Sequence, residues 1–480
     1  MKLLRIFFLL TLIYFSRGDT MAQVKNTVGN TAIVNQADST QLKYNTVIIG
    51  DILFQGNKKT KSFIIQRELP FLKGDQFLVT DLPRLLKIAQ QQVMNTSLFV
   101  DVKVSVTNQK DSIVTITVDT KERWYLFPLP YFRLIDRNFN QWLVEQKASL
   151  ERVNYGIKFI QNNVSGRNDN LDIWLITGYT QQFTIRYNLP FFDKKLKSGF
   201  NIGFLSATQK ELNYATGDNK QLFYKQEETV KKIQRYDFTY SYRPGVKQRH
   251  YFRISYNNEE VADTILKINP LYFPEKKNRL SYLDFSYQFK YYNADYNSYP
   301  TKGYLLEGNI YRRGFDNTTG FWQLGGRAVY AIPFNKTSFL HLEGFAFIKS
   351  PFTSFYSNER LFGYGYVNLR GLEYNVVDGM YGAALKTTLH KQLISFVLNN
   401  PVRSKTHDKI PFRIYLKTYG DLGYGYAANP NPSNTLNNKL LRSWGIGMDI
   451  VSIYDFVFKI EYSFNQLGRD GVYLHSRNDF

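Results

Sequence analysis

Leu283-Asp284-Phe285-Ser286-Tyr287-Gln288-Phe289-Lys290-Tyr291 alternates strictly: Leu283, Phe285, Tyr287, Phe289 and Tyr291 share one side of an extended chain, with Asp284, Ser286 and Gln288 on the other. Side chains on a β-strand point to opposite faces with a period of two, so this stretch reads as a strand with one large aromatic face. The pattern returns in Phe183, Ile185, Tyr187 and Leu189, in Tyr236, Phe238, Tyr240 and Tyr242, in Phe252, Ile254 and Tyr256, and in Phe456, Phe458, Ile460, Tyr462 and Phe464. In these segments every charge lies opposite the aromatics. A soluble sandwich also alternates, but a charge on a lipid face costs about 2–4 kcal/mol at mid-depth. Exclusion of charge from a face of phenylalanine and tyrosine therefore favours a transmembrane barrel.

Composition fits this expectation. The 480 residues include 38 Phe, 36 Tyr and no Cys, and 61 basic against 40 acidic side chains give a net charge of +21. A helical membrane bundle needs repeated apolar runs of about 20 residues, whereas mean hydropathy is −0.36. The aromatic content argues against disorder. The absence of cysteine excludes a disulfide scaffold, a thiolate metal site and a cysteine nucleophile.

Lys2 and Arg5 precede the apolar run Ile6–Tyr14, and a small-residue site follows around Thr20-Met21-Ala22. This reads as a signal peptide over residues 1–22. Its removal leaves a charge near +19, and residues 23–45 read as a flexible periplasmic leader.

Residues 46–123 read as a small β-α-α-β-β module. The strand-like run Val47–Phe54 stops at the turn Gln55-Gly56-Asn57, Thr60 or Ser62 is placed to cap a short helix, and Thr80-Asp81 with Pro83 opens a second one. Val100, Val102, Val104 and Val106 then share a strand face, as do Val114, Ile116 and Val118. With Phe54-Gln55-Gly56-Asn57, Ile65-Gln66-Arg67-Glu68-Leu69, Ser97-Leu98-Phe99-Val100-Asp101-Val102 and the terminal Val118–Arg123, the module resembles a POTRA domain. The resemblance implies a periplasmic domain that takes up client chains by strand addition at a sheet edge; a folded spacer is the plainer alternative.

Over residues 124–480, breaks in the alternation predict sixteen strands: 125–134, 149–161, 170–178, 181–189, 196–206, 234–242, 249–258, 280–291, 303–312, 321–332, 338–348, 379–390, 411–422, 442–452, 455–464 and 471–480. Short connections would be periplasmic turns, and the long ones at 207–233, 259–279, 349–378 and 423–441 would face outward. The overall expectation is a mainly β protein, a 16-stranded antiparallel transmembrane barrel preceded by a POTRA domain.

The loop before the twelfth strand contains Glu359-Arg360-Leu361-Phe362-Gly363-Tyr364-Gly365-Tyr366-Val367-Asn368-Leu369-Arg370-Gly371-Leu372. It resembles the sixth extracellular loop of the BamA/TamA-like assembly proteins, the bacterial surface antigen family, in which an Arg-Gly folds back into the barrel. Asp421-Leu422-Gly423 resembles that family's Asp-x-Gly on the thirteenth strand. By alternation Asp421 shares a face with Arg413, Tyr415, Lys417 and Tyr419. The resemblance therefore implies a loop-pinning set of Arg370, Gly371 and Asp421. The acidic residue that the family usually carries on the twelfth strand has no counterpart around Leu385–His390, which leaves Asp421 as the expected anchor.

The resemblance also implies lateral opening between the first and last strands. Pro128 and Pro130 on the first strand offer no N–H to a ladder, and Val472, Leu474 and Phe480 share a face on the last. An ordinary closed seam, with both prolines ahead of the membrane, is the competing reading. Phe480 is similar to the terminal aromatic of an outer-membrane targeting signal.

Enzymatic chemistry has little footing. The histidines at 250, 341, 390, 407 and 475 show no metal spacing, there is no G-x-S-x-G, and Gly423-Tyr424-Gly425-Tyr426-Ala427-Ala428 follows a strand without a helix behind it. No enzyme activity, cofactor, metal or nucleic acid is expected. The resemblance implies a monomeric barrel that inserts, assembles or translocates unfolded outer-membrane or secreted client proteins in contact with outer-membrane lipids, with periplasmic lipoproteins or chaperones as further candidate partners. A secretion pore or passive channel is the alternative, and one POTRA domain rather than several favours an accessory or specialised role.

Overall fold

The computed structural model describes residues 45–134, 142–143, 147–315, 320–351, 355–364, 367–399, 409–452 and 456–475. The expected signal peptide, all but the last residue of the leader, and Phe480 lie outside the described residues.

The N-terminal module contains β1 (Thr46–Gln55), α1 (Ser62–Gln66), β2 (Gln76–Leu78), α2 (Leu82–Met94), β3 (Phe99–Lys110) and β4 (Ile113–Glu122), with sheet order β2-β1-β4-β3. β1 runs parallel to β4, while β2 and β3 are antiparallel edges. The helices cover one face and bury Ile49, Ile64, Ile65, Val93, Phe99, Val102, Ile116 and Val118. The structure departs from β-α-α-β-β by adding β2, whose three residues are too few to reveal an alternation. Neither expected side-chain cap forms. Thr60 is diverted instead: its hydroxyl meets Tyr125 Oη at 3.0 Å and accepts from Asn163 Nδ2 at 3.0 Å.

The second sheet has sixteen strands, in order β5 (Leu126–Leu134), β6 (Val153–Gln161), β7 (Asn170–Gly178), β8 (Thr180–Leu189), β9 (Ser198–Gln209), β12 (Lys231–Tyr242), β13 (Gln248–Val261), β14 (Arg279–Ala294), β15 (Gly303–Arg313), β16 (Phe321–Pro333), β17 (Ser338–Ser350), β20 (Tyr381–Asn399), β21 (Lys409–Tyr426), β22 (Leu440–Val451), β23 (Val457–Asn465) and β24 (Asp470–His475). Two hairpins outside this sheet complete the numbering, β10 (Glu211–Gly217) with β11 (Lys220–Lys225), and β18 (Arg360–Phe362) with β19 (Val377–Asp378). Each barrel strand pairs antiparallel with its neighbour in the chain.

Burial is inverted relative to a soluble protein. Across β12, β13 and β14 the registers Tyr236↔Tyr256, Phe238↔Ile254 and Phe252↔Tyr287 place apolar side chains together. Tyr236, Phe238, Ile254 and Leu283 are nevertheless 44–52% exposed, while Asp237, Ser255, Asn257 and Asp284 are at most 6% exposed. The buried groups satisfy one another: Ser255 Oγ donates to Asp284 Oδ1 at 2.5 Å, and Asn257 Nδ2 donates to Asp284 Oδ2 at 2.7 Å. An apolar exterior around a hydrogen-bonded polar interior is the arrangement that a barrel in lipid requires. No helix among the described residues is long and apolar enough to cross a membrane.

The module docks on the turns between even- and odd-numbered barrel strands, which places those turns on the module's side of the barrel. Arg243, between β12 and β13, donates both Nη atoms to the carboxylate of Glu68 at 2.7 Å each. Arg67 donates from Nε to Leu196 O at 2.5 Å and from Nη2 to Arg243 O at 2.9 Å, and its guanidinium lies 4.4 Å from the Phe191 ring centre. Phe191, from the turn between β8 and β9, packs into the module's own core. Burial pushes Arg67 down to about 10, with Arg243 adding repulsion and Glu68 opposing both. Removing one partner of a buried ion pair costs about 3–5 kcal/mol, because the other charge is stranded. Glu68→Ala is therefore expected to loosen this docking, read as faster protease cleavage in the 190–197 and 243–247 turns with the heat-resistant mobility of the folded barrel preserved. Unchanged cleavage would show that the fork does not hold the module.

Candidate functional site

The connection between β17 and β20 turns back into the lumen. Arg370 of this loop meets Asp421 of β21 through three donors: its backbone N to Oδ2 at 3.1 Å, Nε to Oδ2 at 2.9 Å and Nη2 to Oδ1 at 2.5 Å. The guanidinium lies 4.0 Å from the ring centre of Tyr419, two residues earlier on the same face. The Asp421 side chain is fully buried and that of Arg370 is 13% exposed. This is a forked, charge-assisted pair in a desolvated setting.

The twelfth strand contributes a neutral group where an acid was missing. Arg370 Nη1 donates to Thr388 Oγ1 of β20 at 2.9 Å and lies 3.9 Å from Glu461 Oε1 of β23. Asp421 is therefore not the sole anchor, because the remaining guanidinium nitrogen is satisfied by a hydroxyl and a more distant carboxylate. Thr388 and Glu461 both lie on polar faces that alternation makes visible, but their convergence on one guanidinium depends on strands far apart in sequence. Lys417 extends the network, donating to Glu461 Oε1 at 2.6 Å and lying 2.5 Å from Asp449 Oδ1. Asp449 also accepts from Tyr299 Oη at 3.0 Å, with His390 Nε2 at 3.3 Å.

Gly371 sits at φ +80°, where an added Cβ would lie 3.1 Å from Phe464 O and from Ser463 Cβ. Its carbonyl accepts from Asn465 Nδ2 at 2.6 Å. A side chain here meets both backbone strain and the β23 wall. In the module, Gly56 has φ +79° and its missing Cβ would overlap Thr120 O at 1.8 Å, while Asn57 Nδ2 donates to Thr60 O at 2.9 Å. This turn is remote from the lumen pair.

The outward mouth is bridged by loops. Asn219, in the β10–β11 hairpin, donates from its backbone N to Asn434 Oδ1 and from Nδ2 to Thr435 Oγ1, at 2.9 and 3.0 Å. The strands flanking these two loops lie about halfway round the sheet from one another. Tyr356, in the short helix α3 (Tyr356–Glu359) of the inward loop, donates to Asn213 Oδ1 at 2.6 Å.

β5 and β24 are the end strands of the sheet order. Tyr125 O accepts from Asn162 N at 2.6 Å, and from there the β5–β6 register runs without a shift. Hydrogen-bonding directions alternate along a strand, so residues 126, 128, 130, 132 and 134 direct their backbone groups away from β6. Pro128 and Pro130, opposite Phe159 and Ile157, thus remove donors from the outer edge of β5 and none from its ladder. On β24, Val472 and Leu474 lie opposite Tyr462 and Ile460 and are 46% and 42% exposed. Lumen pair and end strands are consequently distinct places, joined through β23.

The POTRA family model, described as a surface antigen variable number repeat, matches residues 47–123. CdiB from Escherichia coli has a similar fold at 11% identity and a TM-score of 0.53, over 90% of this chain and 74% of that one. The chain thus carries a POTRA domain, and over most of its length its fold is similar to that of CdiB. BamA from Haemophilus ducreyi lacking POTRA domains 1–3 is similar at 16% identity and a TM-score of 0.47, covering 90% and 83% of the two chains. CdiB from Acinetobacter baumannii follows at 14% identity and 0.46, covering 90% and 73%. No curated protein sequence matches the chain. The likeness to CdiB is one of fold.

Arg370→Ala and Asp421→Asn should each increase protease access to residues 351–380, and Thr388→Ala should do so to a smaller degree. Gly371→Ala is expected to act in the same direction through the clash at β23. Limited proteolysis of purified folded protein measures all four, and equal cleavage across the series would exclude a pinning role for this set.

Proposed function

We propose that this is a non-enzymatic outer-membrane protein that moves client polypeptides into or across the membrane, with the POTRA domain in the periplasm and release between β5 and β24. One observation carries the reading: a cavity of about 1060 Å³ has Tyr131 and Arg133 of β5 and Leu474 and His475 of β24 in its wall, while loops bridge the outward mouth. A space bounded by both end strands and bridged outward offers a sideways route, and the prolines on the outer edge of β5 weaken any ladder built there. Tyr364 and Glu373 of the inward loop line the same cavity, so the pinned loop borders that route.

Clients would reach the lumen through a second cavity of about 1000 Å³ between the POTRA domain and the barrel turns. Seven lysines and arginines line it, including Arg84, Lys87, Lys247 and Arg249, against the acids Glu68 and Asp295. That balance suits acidic segments of an extended chain. The long edge β3 is the candidate for strand addition, since β2 spans only three residues. A secretion pore for a dedicated partner would share this entrance and differ in the exit.

Cysteine pairs placed between 126–134 and 470–475 test the exit. Oxidative locking is expected to reproduce the effect of depletion on the outer-membrane proteome, and normal function with a locked seam would overturn lateral release. Broad loss of barrel proteins on depletion would indicate assembly, and loss of one exported protein would indicate dedicated secretion. Charge reversal at Arg84 and Lys87 should lower client cross-linking to the vestibule, with a smaller effect at high ionic strength.

A further inference from the structure

We propose that Glu373, Glu461 and His475 form a divalent transition-metal site that ties the inward loop to the last barrel strand. One ligand atom from each lies within 4.8 Å of the others. Each comes from a different element: Glu373 from the loop two residues after Gly371, Glu461 from β23 and His475 from β24. Glu461 is opposite Tyr473 and Lys459 opposite His475, so Glu461 and His475 are diagonal neighbours on the lumen face.

Glu373 supplies the independent sign of a missing ligand. Its side chain is 3% exposed, and neither carboxylate oxygen has a hydrogen-bond partner. Two unsatisfied oxygens on a buried carboxylate are costly unless a cation or proton faces them. Its Oε1 faces the cluster, where His475 Nε2 also lacks a hydrogen bond. His475 Nε2 lies 3.6 Å from Glu373 Oε1 and 3.3 Å from Glu461 Oε2. Zinc bonds of about 2.0–2.2 Å to nitrogen and oxygen in a tetrahedron separate adjacent ligands by about 3.3–3.5 Å. The two measured edges therefore already approximate those of a coordinated ion, and a water would complete four ligands.

Neighbouring charges limit which oxygens are free. Lys417 occupies Glu461 Oε1, and Arg370 lies on that same side, leaving Oε2 directed at His475. These cations oppose a dication, but they are already countered by Asp449 and Asp421. Glu373 and His475 both line the cavity beside the end strands, so an ion has a route to the site. One imidazole with two carboxylates suits first-row divalent ions such as zinc or cobalt. Metal binding would join the loop directly to β24; only the consequence for seam opening rests on the transport reading.

The test is direct titration of the chelator-treated, full-length folded protein in detergent with Co²⁺ and then Zn²⁺. One Co²⁺ per chain with the visible absorption of a four-coordinate ion, displaced by one Zn²⁺, is the expected result. Glu373→Gln and His475→Gln should each weaken binding at least tenfold, whereas His250→Gln and His407→Gln should leave it unchanged. Saturating Zn²⁺ should also slow cleavage within residues 351–380 of the wild-type chain. Absence of saturable binding by the wild-type protein, which requires no variant to fold, would overturn the site. So would equal binding by the Glu373 and His475 variants or cleavage indifferent to zinc. Because none of these readouts involves client transport, failure of lateral release would leave the metal result intact.

Discussion

In hydrocarbon, every backbone N–H and C=O needs a protein partner, and a closed sheet of antiparallel strands meets that need without a helix. The rest of this structure follows from it. Strands that surround a lumen must alternate between two solvents, so Phe238 and Ile254 face outward while Asp237 and Ser255 are enclosed. An enclosed polar face in turn needs internal partners, because a buried charge without one is far more costly than at a surface. Asp284 finds Ser255 and Asn257, and Asp421 finds an arginine delivered by a loop.

That delivery makes the inward loop part of the barrel wall's electrostatics. Arg370 touches β20 through Thr388, β21 through Asp421 and the approach to β23 through Glu461. Gly371 then brings the loop backbone against β23, and Glu373 approaches β24. Successive loop residues therefore engage the C-terminal flank of the sheet in order, ending at one side of the seam. The interaction is stronger than its exposed counterpart would be, since lumen groups are screened less than groups in water.

Much of this was legible in the sequence because a barrel's lipid face tolerates so few residue types. Alternation located all sixteen strands and put Asp421 on the lumen face, while its pairing with Arg370 was implied by the resemblance of the Arg-Gly loop and the Asp-x-Gly strand to a known family. The failures are local and physical. The strands expected at 379–390 and 411–422 extend to Tyr381–Asn399 and Lys409–Tyr426, because a register shift between Gln392 and Ile394 interrupts the period of two. Thr388 could be assigned to the polar face, yet no spacing rule links it with Glu461, 73 residues later. Thr60 has the chemistry of a helix cap, but tertiary partners claim its hydroxyl.

Phe191 belongs by sequence to a barrel turn and by packing to the POTRA core. The module emerges first from the chain, but one piece of its interior arrives only after four barrel strands have been made. The interior of the module and the shape of the barrel rim are thus coupled through one side chain. The module's interior is complete only when the barrel rim lies against it, and a module cut free of the barrel would leave that apolar site open.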